Sequence, residues 1–119
     1  MKFIEIAKFT GDAAWDAMDI AQIEGATVRL HWTDKPYKWH QNDGDEVFVV
    51  LDGKVRMFYK EAGQELEQVI ETGNIFYAGE GDEHVAHPVG AARVLVIEKK
   101  DQSRFSFMPS WLDLKPNFS

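Results

Sequence analysis

An all-β fold, a closed barrel or sandwich of short antiparallel strands, is the prediction of this sequence, and three observations carry it. Apolar residues come in short alternating or continuous runs, turn residues break those runs every few positions, and no long stretch repeats with helical periodicity. Many short strands at such spacing close most readily into an antiparallel barrel or a two-sheet sandwich.

The elements follow in chain order. Residues 12–20 have a mixed pattern that suits either a helical turn or an edge strand. Residues 26–32 alternate, with Val28, Leu30 and Trp32 on one face and Thr27, Arg29 and His31 on the other. Residues 47–51 are a continuous apolar run, expected to be a strand buried on both faces, and Asp52-Gly53 turns it into a hairpin with residues 55–60. Residues 61–68 are polar and read as a solvated loop, a strand tip or a short helix. Further short strands are expected at 69–70, 75–77, 85–86 and 93–98, separated by Thr72-Gly73, Gly79-Glu80-Gly81 and Pro88-Val89-Gly90. No internal repeat or low-complexity segment is present. The tail, residues 103–119, carries Phe105, Phe107, Met108, Trp111, Leu112, Leu114 and Phe118, so it is expected to cover its own barrel or to meet a second copy.

Composition narrows the function classes. With 119 residues, 45% of them hydrophobic, one sizeable core and one domain over residues 1–119 are expected. A formal charge of −7 gives no basic face for phosphates, so nucleic acid is not an expected partner. There is no cysteine, so a metal would be held by nitrogen and oxygen alone. Charges inside the first apolar stretch, from Met1 to Ile6, argue against a signal peptide or a membrane span, which makes a cytoplasmic protein the expectation.

Two runs carry the chemistry. The first is Trp39-His40-Gln41-Asn42-Asp43-Gly44-Asp45-Glu46; the second leads from Gly73 through Gly79 and Gly81 to His84. His40 and Asn42, two apart, share a strand face, and after the Asp43-Gly44 turn Glu46 and Phe48 share a face of the next strand. His84 comes from a third strand, with Ala86 on its face and Val85 and His87 on the other. Two imidazoles and a carboxylate with open positions suit Fe(II), and Mn, Ni, Co or Zn also fit. The amide oxygen of Asn42 is a weaker, neutral donor that would complete a four-ligand set loosely or hold a water. Asp43 and Asp45 read as turn residues, and His31 and His87 as ordinary surface or core histidines.

Pocket residues are less defined. Phe48, Val50, Val55, Met57 and Tyr59, with Phe76 or Tyr77, either line a cavity or pack as core. Phe48, Met57, Arg29 and His31 are the substrate-pocket candidates. Arg29 and His31 recognise an anion if their face turns inward; if Val28, Leu30 and Trp32 turn inward instead, Arg29 is solvated. Trp32, Tyr37 and Trp39 near the first motif form a lid or a dimer contact.

Over residues 27–99 the chain resembles the cupin superfamily. His40, Glu46 and Gly53 match the superfamily's first motif, and Gly73, Gly81 and His84 match the second. Asn42 stands where that motif has a second histidine, Gly79 where it has a proline, and Asn74 where an aspartate often follows the first glycine. The resemblance implies a double-stranded β-helix, or jelly-roll barrel, around a metal or small-molecule cavity, usually in a homodimer. Segments 1–20 and 103–119 are expected to pack on the barrel or on a partner. Three functions are compatible with it. The protein is a metal-dependent dioxygenase, isomerase or lyase acting on a small polar metabolite, a non-catalytic module that binds a small molecule, or a metal-free dimeric cupin.

Overall fold

The computed structural model describes residues 1–99; the expectation for the apolar tail lies outside the described residues. A 3-10 turn at Ile6–Lys8 precedes nine strands: β1 (Asp16–Ile23), β2 (Ala26–Thr33), β3 (His40–Gln41), β4 (Glu46–Asp52), β5 (Val55–Glu61), β6 (Gln64–Ile70), β7 (Ile75–Ala78), β8 (Glu83–Pro88) and β9 (Ala92–Lys99). They form two antiparallel sheets, β1-β2-β9-β4-β7 and β3-β8-β5-β6. The predicted all-β class holds, and among the described residues no helix is long and apolar enough to cross a membrane.

Residues 12–20 are a turn followed by the edge strand β1, which begins at Asp16. Its entry is a tight turn in which the Asp16 carboxylate accepts the amides of Asp12, at 2.7 Å, and Ala13, at 3.3 Å. These bonds satisfy the turn backbone and leave β1 free to pair with β2. Trp15, within the turn, has φ +65° and is buried. The polar stretch 61–68 is mostly strand. Ala62 and Gly63 both take positive φ, +52° and +78°, and so form the kind of two-residue turn whose twist matches a hairpin. Glu24 and Gly25 do the same between β1 and β2. The second partner in each pair is glycine, but Ala62 and Glu24 are poor signals for such a turn, which is why the β5–β6 hairpin was hard to read.

The continuous apolar run in β4 differs from expectation. Phe48 and Val50 are fully buried, whereas Val47, Val49 and Leu51 on the opposite face are only half-buried. The cause is antiparallel pairing: one face packs on the core and the other looks outward. At the following turn Gly53 has φ +82°, and a Cβ there would approach the Ala91 carbonyl to 2.7 Å, so this position needs glycine.

Strand register sorts the interior by polarity. Side chains directly opposite one another share a face, so Val96–Phe48–Phe76 and Val94–Val50 form apolar rows across β9, β4 and β7. They meet Val55, Met57, Ile70 and Ala86 of the other sheet, with Trp15 and Ala92 completing one core cluster. One row nearer the barrel mouth lie Glu46 and Glu98, opposite each other, and in the facing sheet His40 pairs with His84. The apolar rows therefore form a floor on which the polar row rests. Truncating Phe48 to Ala would cost about 3–5 kcal/mol, by the usual magnitude for a buried aromatic.

Candidate metal centre

His40 lies at the start of β3, Glu46 at the start of β4 and His84 in β8; each is buried, and one ligand atom from each lies within 4.8 Å of the others. Three strand ends thus converge on one point. Asn42, also buried, bridges the group: its Nδ2 donates to Glu46 Oε1 at 3.1 Å, and its Oδ1 lies 2.7 Å from His84 Nε2. His84 Nε2 also lies 3.0 Å from Glu46 Oε1. Facing two oxygen acceptors, this nitrogen carries the proton when no cation is present.

The loop that delivers Asn42 and Glu46 is held at both sides. The amide of Asn42 donates to the Asp82 carbonyl at 2.8 Å, and that of Gly81 to the Asn42 carbonyl at 2.8 Å. The Asn42 side chain also donates to the Gly44 carbonyl at 3.3 Å, closing the turn onto β4. A motif read as a turn in sequence is in this way tied to the second motif across the barrel mouth.

Electrostatics favour an ionised carboxylate. Burial pushes the Glu46 carboxyl upward, but the His84 hydrogen bond, the charges that His84 and His40 carry when protonated, and the Asn42 amide outweigh it and hold the group well below the ordinary range. The imidazoles differ in their support. His40 Nδ1 lies 3.3 Å from the Lys38 carbonyl, an acceptor that fixes the proton there and leaves Nε2 as the lone-pair nitrogen. His84 Nδ1 is buried with no hydrogen-bond partner among the described residues, and so is Glu46 Oε2. Aromatic rings limit both imidazoles: Tyr37 packs edge-on to His40 at 5.7 Å, Phe76 to His84 at 5.2 Å, and the two imidazoles lie 4.4 Å apart.

This donor set fits a hard or borderline divalent cation. Two imidazoles, one ionised carboxylate with an unused buried oxygen, and an amide oxygen beside them supply nitrogen and oxygen ligands without thiolate. The adjoining void is about 10 Å³, lined by His40, Asn42, Glu46 and Glu98 among others, so it admits one water-sized occupant. The fourth candidate, Asn42, is within the cluster.

The pocket candidates are placed as follows. Phe48 and Met57 are fully buried in the core cluster. The Arg29–His31 face is the one that turns inward, opposite Val96 and Val94. Arg29 Nε pairs with Asp19 at 2.7 Å, and His31 is buried with Nδ1 3.3 Å from the Trp15 carbonyl. Glu98 was not among the sequence candidates. It is buried opposite Glu46, and its charge together with burial raises the Tyr37 hydroxyl well above the usual phenol range, burial being the larger cause. The signal was available, because alternation in 93–98 puts Glu98 on the face of Val94 and Val96.

No protein-family model matches the chain, and neither does any curated protein. Solved structures do. A cupin-2 domain containing protein from Shewanella frigidimarina superposes with TM-score 0.66 at 21% identity, covering 76% of this chain and 85% of that one. A cupin superfamily protein from Desulfitobacterium hafniense gives TM-score 0.60 at 16% identity, covering 71% and 76%. The hydroxypropylphosphonic acid epoxidase from S. wedmorenis gives 0.54 at 21%, covering 62% of this chain and 43% of that one, and Fe(II) HppE gives 0.55 at 17% with the same coverage.

Proposed function

We propose that this cupin-fold domain binds one divalent metal through His40, Glu46 and His84, with Asn42 as a weak fourth donor, and works as a metal-dependent enzyme on a small metabolite. The observation that carries the reading is the buried convergence of two imidazoles and an ionised carboxylate within 4.8 Å. A fold neighbour with Fe(II) supports a divalent metal of the same kind. Such a metal supplies Lewis acidity and open coordination positions, the chemistry shared by dioxygenase, isomerase and lyase reactions.

The chain's own residues do the rest. The Lys38 carbonyl aims His40, Asn42 is hydrogen-bonded to both Glu46 and His84, and the Tyr37 and Phe76 rings pack edge-on against the imidazoles. All four side chains, His40, Asn42, Glu46 and His84, are buried, so a charge among them is poorly screened. Metal analysis of the protein after loading with Mn(II), Fe(II) or Zn(II) tests the reading. About one equivalent is expected in wild type. Loss of binding in His84→Ala is expected as well; equal metal content in the two proteins would place any metal elsewhere.

A metal-free reading has its own support, since His84 Nε2 is already within hydrogen-bond distance of both Asn42 Oδ1 and Glu46 Oε1. In that case the barrel binds an organic ligand directly. Ligand binding that persists unchanged after exhaustive chelation favours this reading over the metalloenzyme.

A further inference from the structure

The void beside His40, Asn42 and Glu46 is only water-sized, so an organic molecule near the centre needs a larger adjoining space. A cleft of about 340 Å³ lies between the ends of β5 and β7 and the start of β8, and its size falls in the range of small-molecule sites. Its wall toward the centre is Phe76, whose ring packs edge-on to His84 at 5.2 Å. Tyr59, also in the lining, is the cross-strand partner of His84 on β5. A second cavity, about 300 Å³ at the β1–β2 bulge, includes none of the ligand residues and no ring packed on them.

We propose that this cleft is the substrate side of the metal centre and that it binds a small organic cation, an amine carrying an apolar or aromatic body. The inference rests on the metal reading for its placement, but not for its ligand chemistry. Three aromatic residues, Tyr59, Phe76 and Tyr77, line the cleft, and aromatic rings attract a cation. Three carboxylates, from Glu61, Asp82 and Glu83, stand against one ammonium, Lys60. That ammonium is already engaged, 3.6 Å from Glu83 and 5.1 Å above the Trp39 ring. The balance in the cleft is negative, which disfavours carboxylate or phosphate ligands and favours an ammonium.

The departure of this chain from the second cupin motif builds the cleft wall. Gly79 has an amide hydrogen, which a proline lacks, and donates it to Asp82 Oδ2 at 2.8 Å, positioning that carboxylate. A Cβ at Gly79 would come within 3.2 Å of the Tyr77 hydroxyl, which donates to Asp45 at 2.8 Å. The amide, which a proline would lack, holds Asp82, and a side chain at this position would crowd the Tyr77 hydroxyl. The mostly exposed Tyr77 is otherwise an expensive residue to leave on an edge strand.

Three probes of like shape and different charge test the proposal by NMR titration of the full chain: benzylammonium, benzyl alcohol and benzoate. Saturable binding of benzylammonium is expected in metal-free protein, with benzoate weaker by about tenfold or more. In Glu61→Gln/Glu83→Gln, checked for an unchanged fold by circular dichroism, the preference for benzylammonium over benzyl alcohol should collapse; Tyr77→Ala should weaken all cation binding. No binding, or benzoate binding as well as benzylammonium, overturns the ligand class. In protein loaded with Mn(II), resonances of bound benzylammonium should broaden; Mn(II) bound without broadening overturns the placement beside the centre. Failure to take up Mn(II) at all refutes the metal reading separately, while the charge ranking in metal-free protein still decides for or against the cation site.

Discussion

Asn42 is the residue on which the centre turns. Its amide donates to Glu46 and accepts from His84, so a neutral group bridges two of the three candidate ligands. Replacing it with His restores a strong nitrogen donor, and Asn42→His is expected to tighten Zn(II) or Mn(II) binding, whereas Asn42→Ala should loosen it modestly; competition against a fluorescent chelator measures both. Protonation gives a second test. Because the folded Glu46 carboxyl is held down to about 2 from an ordinary 4.5, its contribution to stability is present above pH 4.5 and is lost as pH falls toward 2. Chemical denaturation of wild type and Glu46→Gln between pH 5 and 2.5 should show a steeper acid loss in wild type; parallel curves would contradict the assignment. Metal should leave earlier in the same titration, as pH drops below about 6.5, the ordinary histidine range, because the ligating nitrogens must be unprotonated.

At the scale of the elements, the hairpin β5–β6 ends its sheet in an exposed edge strand. β6 is exposed along nearly its whole length, with only Ile70 buried, and an Arg56–Glu67 pair at 2.6 Å spans the two strands on the solvent side. Its turn places Ala62 at φ +52°, where a Cβ is unfavourable and Asn or Gly is accepted. Ala62→Asn should therefore stabilise the protein by up to about 1 kcal/mol, read as a rise in melting temperature with no change in metal content. A fall in melting temperature would mean that the turn does not take this conformation in solution. The β7–β8 turn is different in kind. There the Gly79 amide holds Asp82, a cleft residue, so Gly79→Pro, which removes that donor, is expected to weaken benzylammonium binding.

Across the whole molecule, the site depends on two sheets keeping their spacing. Strands β3 and β8 bring the imidazoles from one sheet and β4 brings the carboxylate from the other, so a bound metal cross-links the sheets. Loading at 100 times the dissociation constant is expected to raise stability by about 2.7 kcal/mol, and addition of EDTA should reverse the gain. Association is a separate proposal. Phe3 is fully exposed, while Arg93 ties the segment behind it to the barrel through the Phe9 carbonyl at 2.7 Å and the Ala7 carbonyl at 3.2 Å. The exposed Ile75 and Tyr77 mark β7 as an open edge. We propose a homodimer that uses the terminal segments; sedimentation of a chain lacking residues 1–9 should shift toward monomer, and an unchanged dimer would reject that role for the amino terminus.

The sequence by itself determined most of the strands and singled out His40, Glu46 and His84, which the structure brings together, because alternation and turn residues are local properties and because these three sit at fixed distances from turn glycines. It also placed Asn42 beside the ligands. Whether Arg29 or Leu30 faced the interior was undecidable from a strand whose two faces are both partly apolar; pairing with β9 decided it, by setting Arg29 opposite Val96. Glu98 and the Phe76 wall entered the site for the same reason. Neither lies near a ligand in the chain, and only the register of β9 and β7 against β4 brings them to the barrel mouth. Side-chain direction along a strand is written in the local sequence, but the neighbour across the ladder is chosen by the packing of the whole barrel.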